Sequence, residues 1–498
     1  MKRQWVLSIL LLGIAMLGQA QNFEDEFNAF LNQSQQQFNS FSDSINKQFA
    51  QAMEANMKTF VEMQPKVRDP KPKPVKVPEV PKNTPSPLPK INPLKPNVPL
   101  KPEPVGPSLP DMKLPESVKP LQPDAPNNPP QDNTPSVPSS EQVNRLDFNL
   151  FGEDIQVMKN PFQKSLSGIS AKDVSTFWIQ LSECDYEPML QTCQKAHAER
   201  GFNDWATYQL VLKLANQTYP EQYNEQAVMT VFLLNQLGME AKVGFGNSHL
   251  FCLIAVDQQL YGISFADIAE NRYYHLETDP AFKNVRNSMS FRTYDTPFPN
   301  RTHALDMHIH HPLKSVPNEV PDTLIHVNMN MIELYKTYPQ VDIEIYANAV
   351  PSKEFCASVD RIIKPYVQNL TPVEAAKLLL EYVQYGFGYA TDDEQFGYEK
   401  PFFCEENYYY PKNDCEDRSV LFAFLVRHLL NLDVVLIDYP GHIATAVHFP
   451  MEVKGEYVEC NGKRYVICDP TYVGAPVGTE MPGFAPSDRT VIPLVREQ

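Results

Sequence analysis

The hydrophobic rhythm of the chain changes four times, and each rhythm predicts a different kind of structure. An apolar run from Trp5 to Leu17 follows Lys2-Arg3 and precedes the small-residue end Gly18-Gln19-Ala20, the layout of a secretory signal peptide over residues 1–20, cleaved near Ala20. The run is shorter than the ~20 residues of a membrane helix, no later segment is long enough, and no cysteine at the cleavage site offers itself to a lipid. The expectation is an exported protein, periplasmic or extracellular, with no membrane span. Over residues 21–64, Phe23, Phe27, Phe30, Ser34, Phe38, Phe41, Ile45, Phe49, Met53, Met57 and Phe60 recur every three or four positions, one stripe of a long amphipathic helix. Their mean spacing of about 3.7 is nearer an eleven-residue repeat than a heptad. Such a stripe serves self-association or docking on a partner, or folds back on its own domain.

Residues 65–142 have no apolar period. They hold roughly half of the 46 prolines among Lys, Val, Asn and Asp, which predicts a disordered, extended polyproline linker. At ~3.1 Å per residue it would reach on the order of 230 Å, enough to act as a spacer. From Val143 onward helical and strand periods return. There Val228–Ala241 and Leu421–Val434 share an apolar helix, a short turn and a strand start. The same offset of 193 residues separates Met239 from Leu432 and His249 from His442. Two copies of one α+β unit are therefore expected at 143–290 and 340–498, joined by a connecting segment at 291–339. Asn203 and Thr371 are the N-caps of corresponding helices.

A net charge of −17 disfavours nucleic acid as a partner and does not by itself imply cation binding. Export makes disulfides feasible among the eight cysteines, with Cys184–Cys193 the most plausible local bridge.

The second copy carries the chemistry. In KNDCEDRS, Asn413 or Asp414 caps a helix with Glu416 and Asp417 in its first turn and Arg427 and His428 in its last, so Cys415 sits at the positive end of the helix dipole. That position favours thiolate over thiol, as a cysteine nucleophile requires. Pro440-Gly441 breaks the strand Val434–Asp438 and His442 opens the next one. An Asn461-Gly462 hairpin then returns a strand that ends at Asp469. A His and an Asp on adjacent strands can bond, which orients the imidazole as base and then acid. Cys415 could instead be a buried structural thiol. His448, on the same strand face, competes with His442, and Asp469 could merely cap the turn through Pro470.

DCEDRS on a helix, GHxxxAV on a strand and DPTY after the next resembles the transglutaminase-like superfamily over about 340–498. The resemblance implies a papain-like α+β core in which the helix bearing the nucleophile packs on an antiparallel sheet. It also implies a Cys-His-Asp triad at Cys415, His442 and Asp469, and thioester chemistry on amide donors. The expected oxyanion donors are the Cys415 amide and one upstream side chain from Tyr408–Tyr410, Tyr409 being preferred. An aromatic and acidic segment, Ala390–Pro411, has no counterpart in the first copy and would form an acyl-donor groove or a packed surface loop.

In the first copy, the offset puts Gln222 at the nucleophile's place and Phe265, with Asp267 nearby, close to that of Asp469, which makes it a degenerate, noncatalytic module. His308 and His310, in Met307–Leu313, would share a strand face with the spacing of two metal ligands, but no acidic partner is evident and no EF-hand loop is present. No metal and no cofactor are expected. The sequence thus points to an exported cysteine peptidase, amidase or protein-glutamine transferase acting on protein or peptide substrates. The alternative is a noncatalytic scaffold of two transglutaminase-like modules.

Overall fold

The computed structural model describes residues 42–67, 145–158, 164–280, 290–314, 323–484 and 486–495. The expected signal peptide, the first half of the expected N-terminal helix and nearly all of the Pro-rich segment lie outside the described residues.

Helix α1 (residues 42–55) turns Asn46, Phe49, Ala50 and Met53 inward, at helical spacing. Phe49 meets Trp178, Tyr294 and Phe298 with ring centroids 5.1, 5.5 and 5.0 Å away. Asn46 Oδ1 accepts from Trp178 Nε1 and Gln236 Nε2, each at 2.9 Å. This part of the stripe is folded onto its own chain. The expectation of one helix continuing to residue 64 is corrected: the helix stops at residue 55, and β1 (Met57–Val61) pairs antiparallel with β8 (Ser290–Tyr294), setting Phe60 opposite Phe291. Met57 and Phe60 fit either period. Pairing with β8, and the β-branched Thr59 and Val61, decide for the strand.

A hairpin, β2 (Arg145–Leu150) with β3 (Glu153–Met158), and helices α2 (Ala171–Ser182) and α3 (Glu187–Arg200) lead into the first copy. That copy consists of α4 (Asp204–Thr218), α5 (Tyr223–Gln236), β4 (Ala241–Phe245), β5 (Leu250–Ala255), β6 (Phe265–Ile268), β7 (Asn271–Leu276) and β8. Short helices at Met329–Tyr335, Ile343–Asn348 and Lys353–Ile362 connect it to the second copy. The second comprises α6 (Pro372–Gly386), β9 (Gly388–Tyr389), β10 (Lys412–Asn413), α7 (Cys415–Leu430), β11 (Asp433–Tyr439), β12 (His442–His448), β13 (Tyr457–Cys460), β14 (Lys463–Cys468) and β15 (Thr490–Pro493).

The class is mixed α/β with antiparallel sheets. The first sheet runs β1-β8-β4-β5-β7-β6 and the second β15-β11-β12-β14-β13, so five neighbouring strands recur in the same order. Because β8 belongs to the first sheet, that unit extends beyond residue 290. Asn203 and Thr371 cap α4 and α6, accepting from Ala206 N and Glu374 N. One core joins both copies on the helix side of the sheets, from Phe49 and Trp205 through Phe403 to Val447. Smaller clusters cover the opposite faces.

All eight cysteines are free. The expected Cys184–Cys193 bridge is absent: Cys184 Sγ donates to Gln180 O at 3.2 Å, while Cys193 is buried in the core from α3. No described helix is long and apolar enough to cross a membrane.

Candidate active site

Helix α7 begins at Cys415, with Asp414 as its N-cap; Asp414 N donates to Asp417 Oδ2 at 3.1 Å, which closes a capping box. The helix packs on β12 and β11, and Ser419 Oγ donates to Ile443 O at 2.9 Å. The Ile443 amide acts on the Cys415 thiol, lowering its pKa, so the thiol lies near the start of β12. His442 follows a two-residue turn, Pro440-Gly441, in which Gly441 takes φ +76° as Tyr439 pairs with His442. The neighbouring β14 is aligned by the Asn461-Gly462 turn, with φ of +49° and +73°, and pairs Thr445 with Cys468. Asp469 therefore emerges next to His442, and His442 Nε2 donates to its Oδ2 at 2.8 Å, both side chains being buried.

Asp469 is fixed on its other side. Its Oδ1 accepts from Thr471 N and Tyr472 N at 2.9 and 3.0 Å. Gln384, on α6, donates Nε2 to the carbonyls of Asp469, Tyr472 and Ala475 and accepts Gly474 N on Oε1. Phe484 and Tyr439 stack on the His442 ring with centroids 5.6 and 5.9 Å away. His448 lies at the far end of β12, bonded through Nδ1 to Arg464 O at 2.9 Å. Gln384 and Phe484 were not legible as site residues, since a mid-helix Gln and a lone Phe after a loop carry no motif.

Electrostatics at Cys415 differ from the expected thiolate. Burial, then Glu416 and Asp414, push the thiol well above its usual range, and Sγ donates to Glu416 Oε2 at 2.9 Å. Asp414 and Asp417 are themselves raised by burial and by one another's neighbourhood of Glu416 and Asp392. Arg418, fully buried in the same turn, is lowered to about 10 by burial, and its Nε donates to Asn413 Oδ1 at 2.9 Å. The carboxylates of Asp392, Glu399 and Glu416 approach within 4.8 Å of one another, as do those of Asp392, Asp414 and Asp417. These all-oxygen sets could hold a hard divalent cation.

Tyr409 is buried in the core, with Tyr410 at 4.9 Å and Lys336 Nζ 5.6 Å over its ring. The tyrosine electrostatically coupled to Cys415 is Tyr389, whose ring lies under the Arg418 guanidinium at 5.3 Å. Most of the segment 400–411 is interior: Phe402 stacks on Tyr410 and Phe403 on Tyr335, at 4.9 and 4.2 Å. Of the expected segment Ala390–Pro411, residues 391–399 stay largely at the surface, whereas 401–410 are interior, where Glu405 Oε1 and Oε2 accept from Ser352 N and Asn328 N and tie the segment to the connecting helices.

The first copy repeats the dyad. His249 Nε2 bonds Glu277 Oε1 at 2.9 Å, and Glu277 follows β7 as Asp469 follows β14. The register Cys252–Leu276 matches Thr445–Cys468, so Glu277 rather than Phe265 or Asp267 is the counterpart of Asp469. Gln222 is the N-cap of α5, and the place of the thiol is taken by Asn224: its Oδ1 accepts from Leu250 N at 2.8 Å, where Ile443 N meets Cys415. Between the copies, Asp306 bridges His308 Nδ1 and His310 Nε2 at 2.6 and 3.2 Å, in an irregular stretch where a strand was expected. A comparison with family models, with curated proteins and with solved structures finds no match to this chain.

Proposed function

We propose that the second copy is a transglutaminase-like, papain-like thiol enzyme that transfers acyl groups from amide or peptide carbonyls through a thioester on Cys415. The observation that carries this reading is the buried 2.8 Å His442–Asp469 bond at the mouth of β12, the strand on which the helix that starts with Cys415 packs. With Nε2 committed to Asp469, Nδ1 of His442 is the nitrogen that takes the thiol proton. The sulfur then attacks the carbonyl carbon, and the C–N bond breaks as His442 returns the proton to the leaving amine. Water or a second amine, deprotonated by His442, releases the acyl group. The Cys415 amide stabilises the oxyanion, with the Tyr409 or the Tyr389 hydroxyl as the upstream donor. Export, and a protein or peptide as substrate, belong to the same proposal.

The competing reading, a noncatalytic scaffold, is favoured by the raised Cys415 thiol and by the first copy, which keeps the dyad with Asn224 in place of a thiol. Alkylation of Cys415 by iodoacetamide, read by peptide mass spectrometry at pH 7, separates the two. An enzyme loses at least tenfold in rate on His442→Ala. Equal rates in both proteins overturn catalysis and leave the scaffold.

A further inference from the structure

The first copy has gained what the second lacks, a second imidazole. His275, on β7, occupies the place of Ile467 on β14, as the pairings Leu253–His275 and Ala446–Ile467 show. Its Nε2 reaches Glu277 Oε1 at 2.6 Å, the same oxygen that His249 Nε2 meets at 2.9 Å. One ligand atom from each of His249, His275 and Glu277 lies within 4.8 Å of the others. The three side chains are only 6, 10 and 9% exposed. Glu277 Oε2 is buried without a hydrogen-bond partner. Behind His275, Nδ1 is bonded at 2.7 Å to Glu62 Oε1, which is itself buried and stands just after β1, and Phe251 stacks on the ring with centroids 3.8 Å apart.

We infer that His249, His275 and Glu277 form a binding site for a divalent d-block cation of the Zn²⁺ type. Two imidazoles and one carboxylate are the donors such a cation takes, and three protein ligands leave a fourth position for water or a partner's group. Glu62 acts from behind: a carboxylate on the far nitrogen fixes the ring's tautomer and strengthens it as a ligand. Charge supports the same conclusion, because two buried carboxylates, Glu62 and Glu277, are balanced by one dication. The site also joins the N-terminal segment to the body of the first copy, because Glu62 belongs to one and His275 to the other.

The test is Zn²⁺ binding to the chelator-stripped full chain at pH 7.5, by metal content after equilibrium dialysis and by calorimetry. Cys415→Ser serves as the background, to remove the most prominent thiol. One equivalent is expected, with affinity lost in His275→Ala and Glu277→Gln. Glu62→Gln, a milder change, should weaken it about tenfold or more. His308→Ala should leave it unchanged. Co²⁺ in place of Zn²⁺ should give ligand-field bands without a thiolate charge-transfer band. No retained metal, equal binding in the Glu277→Gln and Glu62→Gln variants, or a thiolate band would each overturn the assignment.

Discussion

The two copies place Cys415, His442 and Asp469 against Asn224, His249 and Glu277 on sheets of matching strand order. The His–carboxylate bond survives in both, at 2.8 and 2.9 Å, because it is a product of strand pairing: one strand opens beside the end of its neighbour. The side chain that meets the amide of the residue after the histidine, Ile443 or Leu250, comes from a helix start, and there the copies diverge. A buried His–carboxylate dyad is therefore a property of this architecture, and the adjoining side chain decides what it can do. In the second copy the neighbours are carboxylates that raise a thiol; in the first they are a second imidazole and Glu62.

The sharpest way to break the comparison is to exchange its halves. Asp469→Asn should slow Cys415-dependent turnover or alkylation by about a hundredfold or more, whereas Glu277→Gln should leave the Cys415 rate within a factor of two. Equal losses would mean that the copies work as one site. A next largest effect concerns Glu405, in the segment that the first copy lacks. Burial lifts its carboxyl to about 7 although two backbone amides oppose the shift. A carboxyl raised on folding stabilises the native state fully below its unfolded value of 4.5 and progressively loses that contribution as pH rises through 7. Urea unfolding at pH 5 and pH 8 should differ by about 3 kcal/mol through this group, and Glu405→Gln should shrink the difference.

Gln384→Ala should cost about 2–3 kcal/mol in thermal or urea unfolding, since it strips the carbonyls holding the Asp469 turn. Asn216 stands at the same distance from its helix cap in the first copy, and its Oδ1 is without a partner, so Asn216→Ala should be nearly neutral. The smallest effect is expected from Asn224→Cys, which should create an alkylatable thiol beneath the Leu250 amide without producing turnover.

Local chemistry made much of this site readable. The Asp414 cap, the Pro440-Gly441 break and the Asn461-Gly462 turn each leave a signature within a few residues; the first sets Cys415 at a helix start, and the other two bring His442 and Asp469 into bonding distance. The counterparts in the first copy were misplaced for a topological reason. A constant offset sets Phe265 near the place of Asp469, whereas the sheet order gives Phe265–Ile268 the role of β13 and the next strand that of β14. Helix α5 starts at Tyr223, one residue later than the 193-residue offset places it, and Asn224 in its first turn was hidden in the same way. Gln384 and Glu62 act across sequence separations that no local pattern records. The strand β1 was hidden by a stripe whose spacing suits a helix as well.

The position of β1 changes the meaning of the proline-rich segment. Its near end is stitched to the first sheet, where Met63 bridges Phe265 and Gly262 N bonds Lys66 O; its far end enters β2, whose partner β3 is tied to α3 through Glu153 and Arg200. The chain thus leaves the first copy after residue 67 and comes back to it at residue 145, so both described ends are anchored on one body. A load applied between those ends is borne by β1 and β2 before the second copy feels it.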